Sequence, residues 1–191
     1  TFDVMPVNSG GTPDWNALTA PASYRWYADW VYQFTKRYGT NTSTTNQKLA
    51  SGEPAGAGLN RVGYVEIWNE QDKWWIGGSS PAAACNSTTS NWLRMTKFCP
   101  DEYAAMASTV FDGHNGGTGG TVSGQNGTNG PTYALGVKNA DANMRYVFGG
   151  LSEIDDNCWN FVTSVNTWCN TNRPAGADRF PFKVLNFHHY S

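Results

Sequence analysis

The sequence predicts an α/β fold built on parallel strands, and three observations support this. β-like runs alternate with helical periodicities along the chain, which is the pattern of strands joined by right-handed crossovers. At 191 residues the chain is long enough for one domain with a substantial core. No glycine-rich phosphate loop follows any of the expected strands: Gly56-Ala57-Gly58 precedes one, and the glycines of 116–120 precede no helix. Of the two architectures left, an open doubly wound sheet and a closed (β/α)8 barrel, the nucleotide-binding sheet is therefore the weaker.

In chain order, residues 2–7 (Phe-Asp-Val-Met-Pro-Val) form a short β-like run that ends in the breaker cluster Asn8-Ser9-Gly10-Gly11-Thr12-Pro13. From Pro21 to Tyr38 the apolar residues Tyr27, Trp30, Val31, Phe34 and Tyr38 recur at helical spacing, and Gly39 stands where a helix stops. Residues 40–60 are a polar link, after which Val62–Trp68 is again strand-like. Asp101 and Glu102 open a second helix, carrying Tyr103, Met106, Ala107, Val110 and Phe111, with the acidic pair where the helix dipole favours it. Residues 113–131, mostly Gly, Thr and Asn, read as a surface insertion. Arg145–Leu151 is a third strand, Asp155–Cys169 a third helix with Trp159, Val162, Val165 and Cys169 on one face, and Phe182–Phe187 a fourth strand. All of it, 1–191, reads as one domain.

Composition narrows the function classes. Thirteen basic against fifteen acidic residues, scattered, exclude a basic nucleic-acid cradle and an anionic-lipid patch as first readings. No run approaches the roughly 20 apolar residues of a membrane helix. Charged residues are only 15%, against about 25% in an average domain, and nine Trp, nine Tyr and nine Phe accompany many neutral polar side chains. That surface suits sugars better than phosphates. Asn41, Asn86 and Asn126 each begin a glycosylation sequon in a polar stretch. With four cysteines, they point to a secreted protein in an oxidising compartment. Thr1 follows no initiator Met and no signal pattern, so a processed or partial chain is expected.

The chemistry-bearing segment is Tyr64-Val65-Glu66-Ile67-Trp68-Asn69-Glu70-Gln71-Asp72-Lys73-Trp74-Trp75. At period 2, Glu66, Trp68 and Glu70 share a face, and Glu70 falls at the carboxyl end of the strand. A carboxyl beside apolar walls has the raised pKa an acid catalyst needs, Asn69 can hold a substrate hydroxyl, and Trp68, Trp74 and Trp75 offer faces to sugar rings. Trp74 and Trp75 could equally pack beneath the loop. On the last segment His188 and His189 point to opposite faces, so His188 and Tyr190 share one, which makes them subsite residues. No metal is expected, because no third ligand stands at a recognisable spacing from the histidines, and no cofactor is implied.

Trp68-Asn69-Glu70 at a strand end resembles the fourth-strand signature of clan A glycoside hydrolases, retaining enzymes on a (β/α)8 TIM barrel. The resemblance implies that Glu70 is the general acid/base and that Asn69 binds the hydroxyl next to the reacting carbon. Gln71 stands where that family usually has Pro. Residues 2–15 resemble the third strand and its loop, Tyr24–Gly39 the third helix, Phe148-Gly149-Gly150-Leu151 the fifth strand end, and Asn186-Phe187-His188-His189-Tyr190 the sixth. The chain would then be a central part of a TIM barrel, strands three to six. The clan nucleophile and the remaining strands would come from a longer parent or a companion chain. Within the chain, Glu153 is a weak substitute nucleophile, Asp155 and Asp156 read as helix caps, and Glu66 reads as a buried carboxylate tied into the barrel interior.

Four cysteines allow three pairings. Cys158 and Cys169 lie about 16 Å apart along one helix, too far for a bridge that wants its Cα atoms within about 7 Å. Cys85 and Cys99 flank residues 86–98, and closing that loop would brace the site rim; Cys158 is the alternative partner. Two functions follow. One is a secreted retaining O-glycosyl hydrolase acting on polysaccharide or glycoside through Glu70. The other is a noncatalytic carbohydrate-binding or assembly protein that keeps the glycosidase fold.

Overall fold

The computed structural model describes residues 18–49, 51–72, 98–114, 135–152, 154–174 and 178–188. Its elements are a 3-10 turn, Pro21–Tyr24, leading into α1 (Arg25–Tyr38), β1 (Tyr64–Asn69), α2 (Pro100–Asp112), the single turn α3 (Val137–Ala140), β2 (Arg145–Gly150) and α4 (Asp156–Asn172). β1 and β2 pair in parallel, with Tyr64 opposite Arg145 and Asn69 opposite Gly150. The segment expected as the strand Phe182–Phe187 runs beside β2 but forms only two parallel bridges, Val147 with Val184 and Leu151 with Phe187.

Local signals placed these elements well. Pro21 starts the first helical turn, where its missing N–H costs nothing, and Lys36 and Arg37 sit in the last turn of α1, where the dipole favours cations. The carbonyls of Lys36, Arg37, Tyr38 and Gly39, orphaned by the helix end, accept backbone N–H groups from Gly58 to Val62, so the polar link is the cap of α1. Pro100 opens α2, the Glu102 carboxylate accepts the Cys99 N–H at 3.0 Å, and Gly113 closes it in the left-handed region at φ 72°. Asp155 caps α4 by accepting the Cys158 N–H at 2.9 Å. That hydrogen bond, ahead of the smaller desolvation that opposes it, holds its carboxyl below the ordinary value.

The core lies between one sheet face and the helices. α2 is buried along nearly its whole length, and Tyr103, Tyr146, Phe148, Phe161, Phe180 and Phe182 form a continuous aromatic cluster. Two tyrosine hydroxyls join the layers: Tyr146 donates to Ala107 O at 2.9 Å, and Tyr103 donates to Ile67 O and accepts from Gly149 N, both at 3.0 Å. Burial keeps both phenols well above their ordinary pKa, so the donors stay protonated. Asp141 ties the end of α1 to the start of β2 by accepting Thr40 N, Thr40 Oγ1 and Asn143 N. Burial pulls its carboxyl upward, but these bonds together outweigh it and hold the carboxyl below its ordinary value.

Three expectations are corrected. First, the described residues form a small α/β domain with two parallel strands in an open sheet, not a section of a TIM barrel. A barrel needs each strand paired on both sides and its inward side chains stacked in layers. Here β1 pairs with β2 alone among the described residues, and the positions that would be inward, Tyr64 and Glu66, are exposed. Second, of the repeat Tyr27, Trp30, Val31, Phe34 and Tyr38 read along α1 only Val31 is buried; the helix packs against α2 and α3 through Ala28, Val31 and Thr35, with Tyr24 of the preceding turn. Tyr27, Trp30, Phe34 and Tyr38 form a row in ring contact, with successive centroids 6.3, 5.8 and 5.0 Å apart, and Tyr27 at its start also packs against the core. Third, Glu66 is not buried in an interior but is exposed on the face of β1 opposite the buried Val65 and Ile67. Residues 2–15, most of the 113–131 insertion and Glu153 lie outside the described residues.

Candidate functional site

The site sits at the carboxyl end of β1, where the backbone leaves its regular course. Trp68 and Glu70 adopt positive φ, 72° and 49°, a conformation that L-residues occupy at a cost of order 1–3 kcal/mol and that concentrates at functional sites. The expected period-2 alternation therefore fails after Ile67. Trp68 turns to pack edge-on against Phe98, ring centroids 5.1 Å apart, at the margin of the core, and does not share a face with Glu66.

Glu70 itself is 7% exposed. Its backbone N–H donates to Gly150 O at 2.7 Å, and its Oε1 lies 3.1 Å from His188 Nδ1. His188 is brought there by the segment beside β2, since Leu151 N donates to Asn186 O at 3.0 Å and His188 N to Leu151 O at 2.8 Å. A carboxyl and an imidazole at this distance can hold one proton between them, which is the equipment of general acid–base chemistry. Asn69, beside them, is exposed, and its side-chain amide has no hydrogen bond among the described residues, leaving it available to a polar ligand.

The Gly149-Gly150 pair makes this packing possible. A Cβ on Gly150 would overlap the imidazole of His188, and one on Gly149 would overlap the Ile67 carbonyl and the Gln71 amide. Gln71, fully buried, donates from Nε2 to Gly149 O at 2.8 Å, while its Oε1 has no hydrogen-bond partner among the described residues. Glu66 Oε1 accepts from Gly150 N at 2.7 Å and from Asn186 Nδ2 at 3.0 Å. Asp72 accepts from Ser152 N, Ser152 Oγ and the Cys158 thiol at 2.9, 3.2 and 3.1 Å. The sequence named the Gly149-Gly150 strand end and Asp72 without giving either a role at the site, and it gave no signal for Ser152; the doubled glycine at a strand end was the available cue.

The other expected residues divide plainly. The structure brings His188 to Glu70, whereas Trp74, Trp75, Tyr190, Cys85, Asn86 and Asn126 lie outside the described residues. Cys99 is disulfide-bonded, with its partner outside the described residues, while Cys158 and Cys169 are buried thiols not joined in a disulfide. Asn41 is half-buried and uses its amide internally, Nδ2 donating to Ala140 O at 2.7 Å and Oδ1 accepting Ser43 N at 3.1 Å. Among the described residues no group of three His, Cys, Asp or Glu is arranged to hold a metal ion, and no helix is long and apolar enough to cross a membrane.

A second polar cluster, far along the chain from Glu70, is structural in character. The Arg173 guanidinium grips both oxygens of Asp112, at 2.8 and 3.2 Å, and also reaches Ser108 Oγ, whose other partner is His114 Nδ1 at 2.7 Å. Burial first, then Arg173, lower the His114 pKa against the opposing pull of Asp112, so a neutral ring suits the site. No protein-family model matches this chain, and no curated protein or solved structure matches it either.

Proposed function

We propose that this protein is a secreted retaining O-glycosyl hydrolase acting on polysaccharide or glycoside, with Glu70 as its general acid/base. The observation that carries the reading is the buried Glu70 carboxyl at a strand's carboxyl end, within 3.1 Å of His188 Nδ1 and beside an exposed Asn69 amide. The Trp-Asn-Glu likeness supports the role of Glu70 on local grounds, without the barrel. In this reading Glu70 donates its proton to the glycosidic oxygen as the bond from C1 to that oxygen breaks, while a second carboxylate forms a bond to C1. Glu70 then takes a proton from the water that attacks C1 and releases the second carboxylate. His188 orients the Glu70 carboxyl, and Asn69 holds a neighbouring sugar hydroxyl. Glu66 and Asp72 are engaged by Gly150, Asn186, Ser152 and Cys158, so the second carboxylate is assigned to residues outside those described.

The neutral polar, aromatic-rich composition favours a carbohydrate as ligand, and the disulfide at Cys99 favours an oxidising compartment. The test is Glu70→Ala and Glu70→Gln in the full protein, assayed on aryl glycosides whose leaving groups span a wide range of acidity. Turnover should fall by about 10²–10⁴ on poor leaving groups and far less on activated ones, the size of a lost proton-transfer group. Azide should restore Glu70→Ala and appear in the product as a glycosyl azide. Carbohydrate binding retained with no hydrolysis by the wild-type protein would favour the noncatalytic reading instead.

A further inference from the structure

We infer that Glu66 is a positioning residue for the Glu70–His188 pair: one carboxylate oxygen clamps both chain segments that hold the proton-transfer group. Its catalytic consequence rests on the function proposed above; the clamp itself does not. Glu66 Oε1 accepts two hydrogen bonds, from Gly150 N at 2.7 Å and from Asn186 Nδ2 at 3.0 Å. Each leads to Glu70 by a different route. Through Gly150 it reaches the backbone, because the carbonyl of that residue accepts the Glu70 N–H at 2.7 Å. Through Asn186 it reaches the side chain, because two residues on, His188 places Nδ1 3.1 Å from Glu70 Oε1. Gly150 joins the two routes, since its bare Cα is the surface on which the imidazole lies.

The chemistry explains why a glutamate stands there. A single side-chain oxygen with two acceptor lobes, held at this length from the backbone, can serve donors from two segments at once. The side chain must also run along its strand, since Gly150 is paired with Asn69 and not with Glu66 itself. Aspartate is one methylene shorter and leaves Gly150 N out of reach, whereas glutamine keeps both the length and an acceptor oxygen. Glu70 holds positive φ at the end of β1, and the clamp braces both of the segments that touch it there. Displacement of an acid by about 1 Å costs on the order of 10²-fold in rate.

Glu66→Gln, Glu66→Asp and Glu66→Ala are compared in the full protein by two readouts. The first is amide hydrogen exchange at Gly150 and Glu70, referenced to Val110 in the core. Glu66→Ala and Glu66→Asp should speed exchange at both site amides by about tenfold or more relative to Val110, and Glu66→Gln should change it little. The second is kinetic: with Ala or Asp, kcat on poor leaving groups should fall about 10-fold to 10²-fold, with KM nearly constant, activated substrates spared and Gln rescuing. If Glu66→Ala fails to fold, Asn186→Ala cuts the His188 route alone and should still lower kcat on poor leaving groups. Unchanged exchange at Gly150 and Glu70, a Val110 amide loosened equally, or failure of Gln to rescue overturns the inference. A protein that hydrolyses no glycoside yet shows the exchange pattern keeps the clamp and loses only the glycosidase reading.

Discussion

Replacing Tyr103 by Phe tests the link between the core and the site most directly. The ring is fully buried, and its contacts with Phe148, Phe161 and Phe182 survive the change, so only the hydroxyl is lost. That hydroxyl donates to Ile67 O and accepts from Gly149 N, bridging β1 and β2 just before Trp68 and Glu70 leave regular geometry. Two buried backbone groups are then left without this partner. At about 1–3 kcal/mol for each unsatisfied group, the substitution should cost about 2–6 kcal/mol. With a urea m-value of about 2 kcal/mol/M, the unfolding midpoint should drop by about 1–3 M at unchanged m. Urea denaturation followed by tryptophan fluorescence measures this, and exchange at the Gly149 amide reports the local break. A loss below about 0.5 kcal/mol would refute the reasoning, because the strands would then be closing their own ladder without the wedge.

The other expectations concern the buried polar cluster and the thiols. Asp112→Ala strands the Arg173 guanidinium, whose side chain is 0% exposed, and should cost about 3–5 kcal/mol in urea denaturation; less than about 1 kcal/mol would show that the pair is not holding the α2 and α4 ends together. The lowered His114 pKa means that the unfolded chain binds the extra proton more readily. The stabilisation is therefore complete above the unfolded value of 6.5 and is lost as pH falls from there through the lower folded value. Tm measured from pH 8 to 5 should decline on the acid side in the wild type and decline less in His114→Asn, and parallel curves would remove His114 from the account. Burial pushes the Cys169 thiol up to about 12, with Arg173 opposing, so in the native state a thiol reagent should modify it only at the rate of unfolding; rapid labelling at neutral pH contradicts its placement.

How much was legible in advance follows from what each signal measures. The helix ends at Pro21, Gly39 and Asp155 could be read because caps satisfy backbone groups within a few residues of themselves, and the start of α2 was placed one residue late, at Asp101 in place of Pro100. Glu70 could be singled out because a carboxyl set among tryptophans and an asparagine at a strand end is a local pattern. His188 was assigned to the site by alternation, and it does face Glu70. Trp68 misled, because strict alternation assumes β-region backbone and this residue has left it. The aromatic stripe of α1 misled because hydrophobicity alone cannot tell a face packed on the core from one stacked on itself.

Taken alone, the sequence determined three helices, the two strands between them, and which carboxyl stands at a strand's carboxyl end. Only the tertiary structure decided that the sheet is open, that Glu66 on its exposed face reaches a residue 120 positions away, and that a pair of glycines gives an imidazole room beside Glu70. The physical reason is range. Propensity, capping and amphipathic period are free energies of neighbouring residues, whereas sheet closure and side-chain clamps are contacts between distant segments that exist only once the chain has packed.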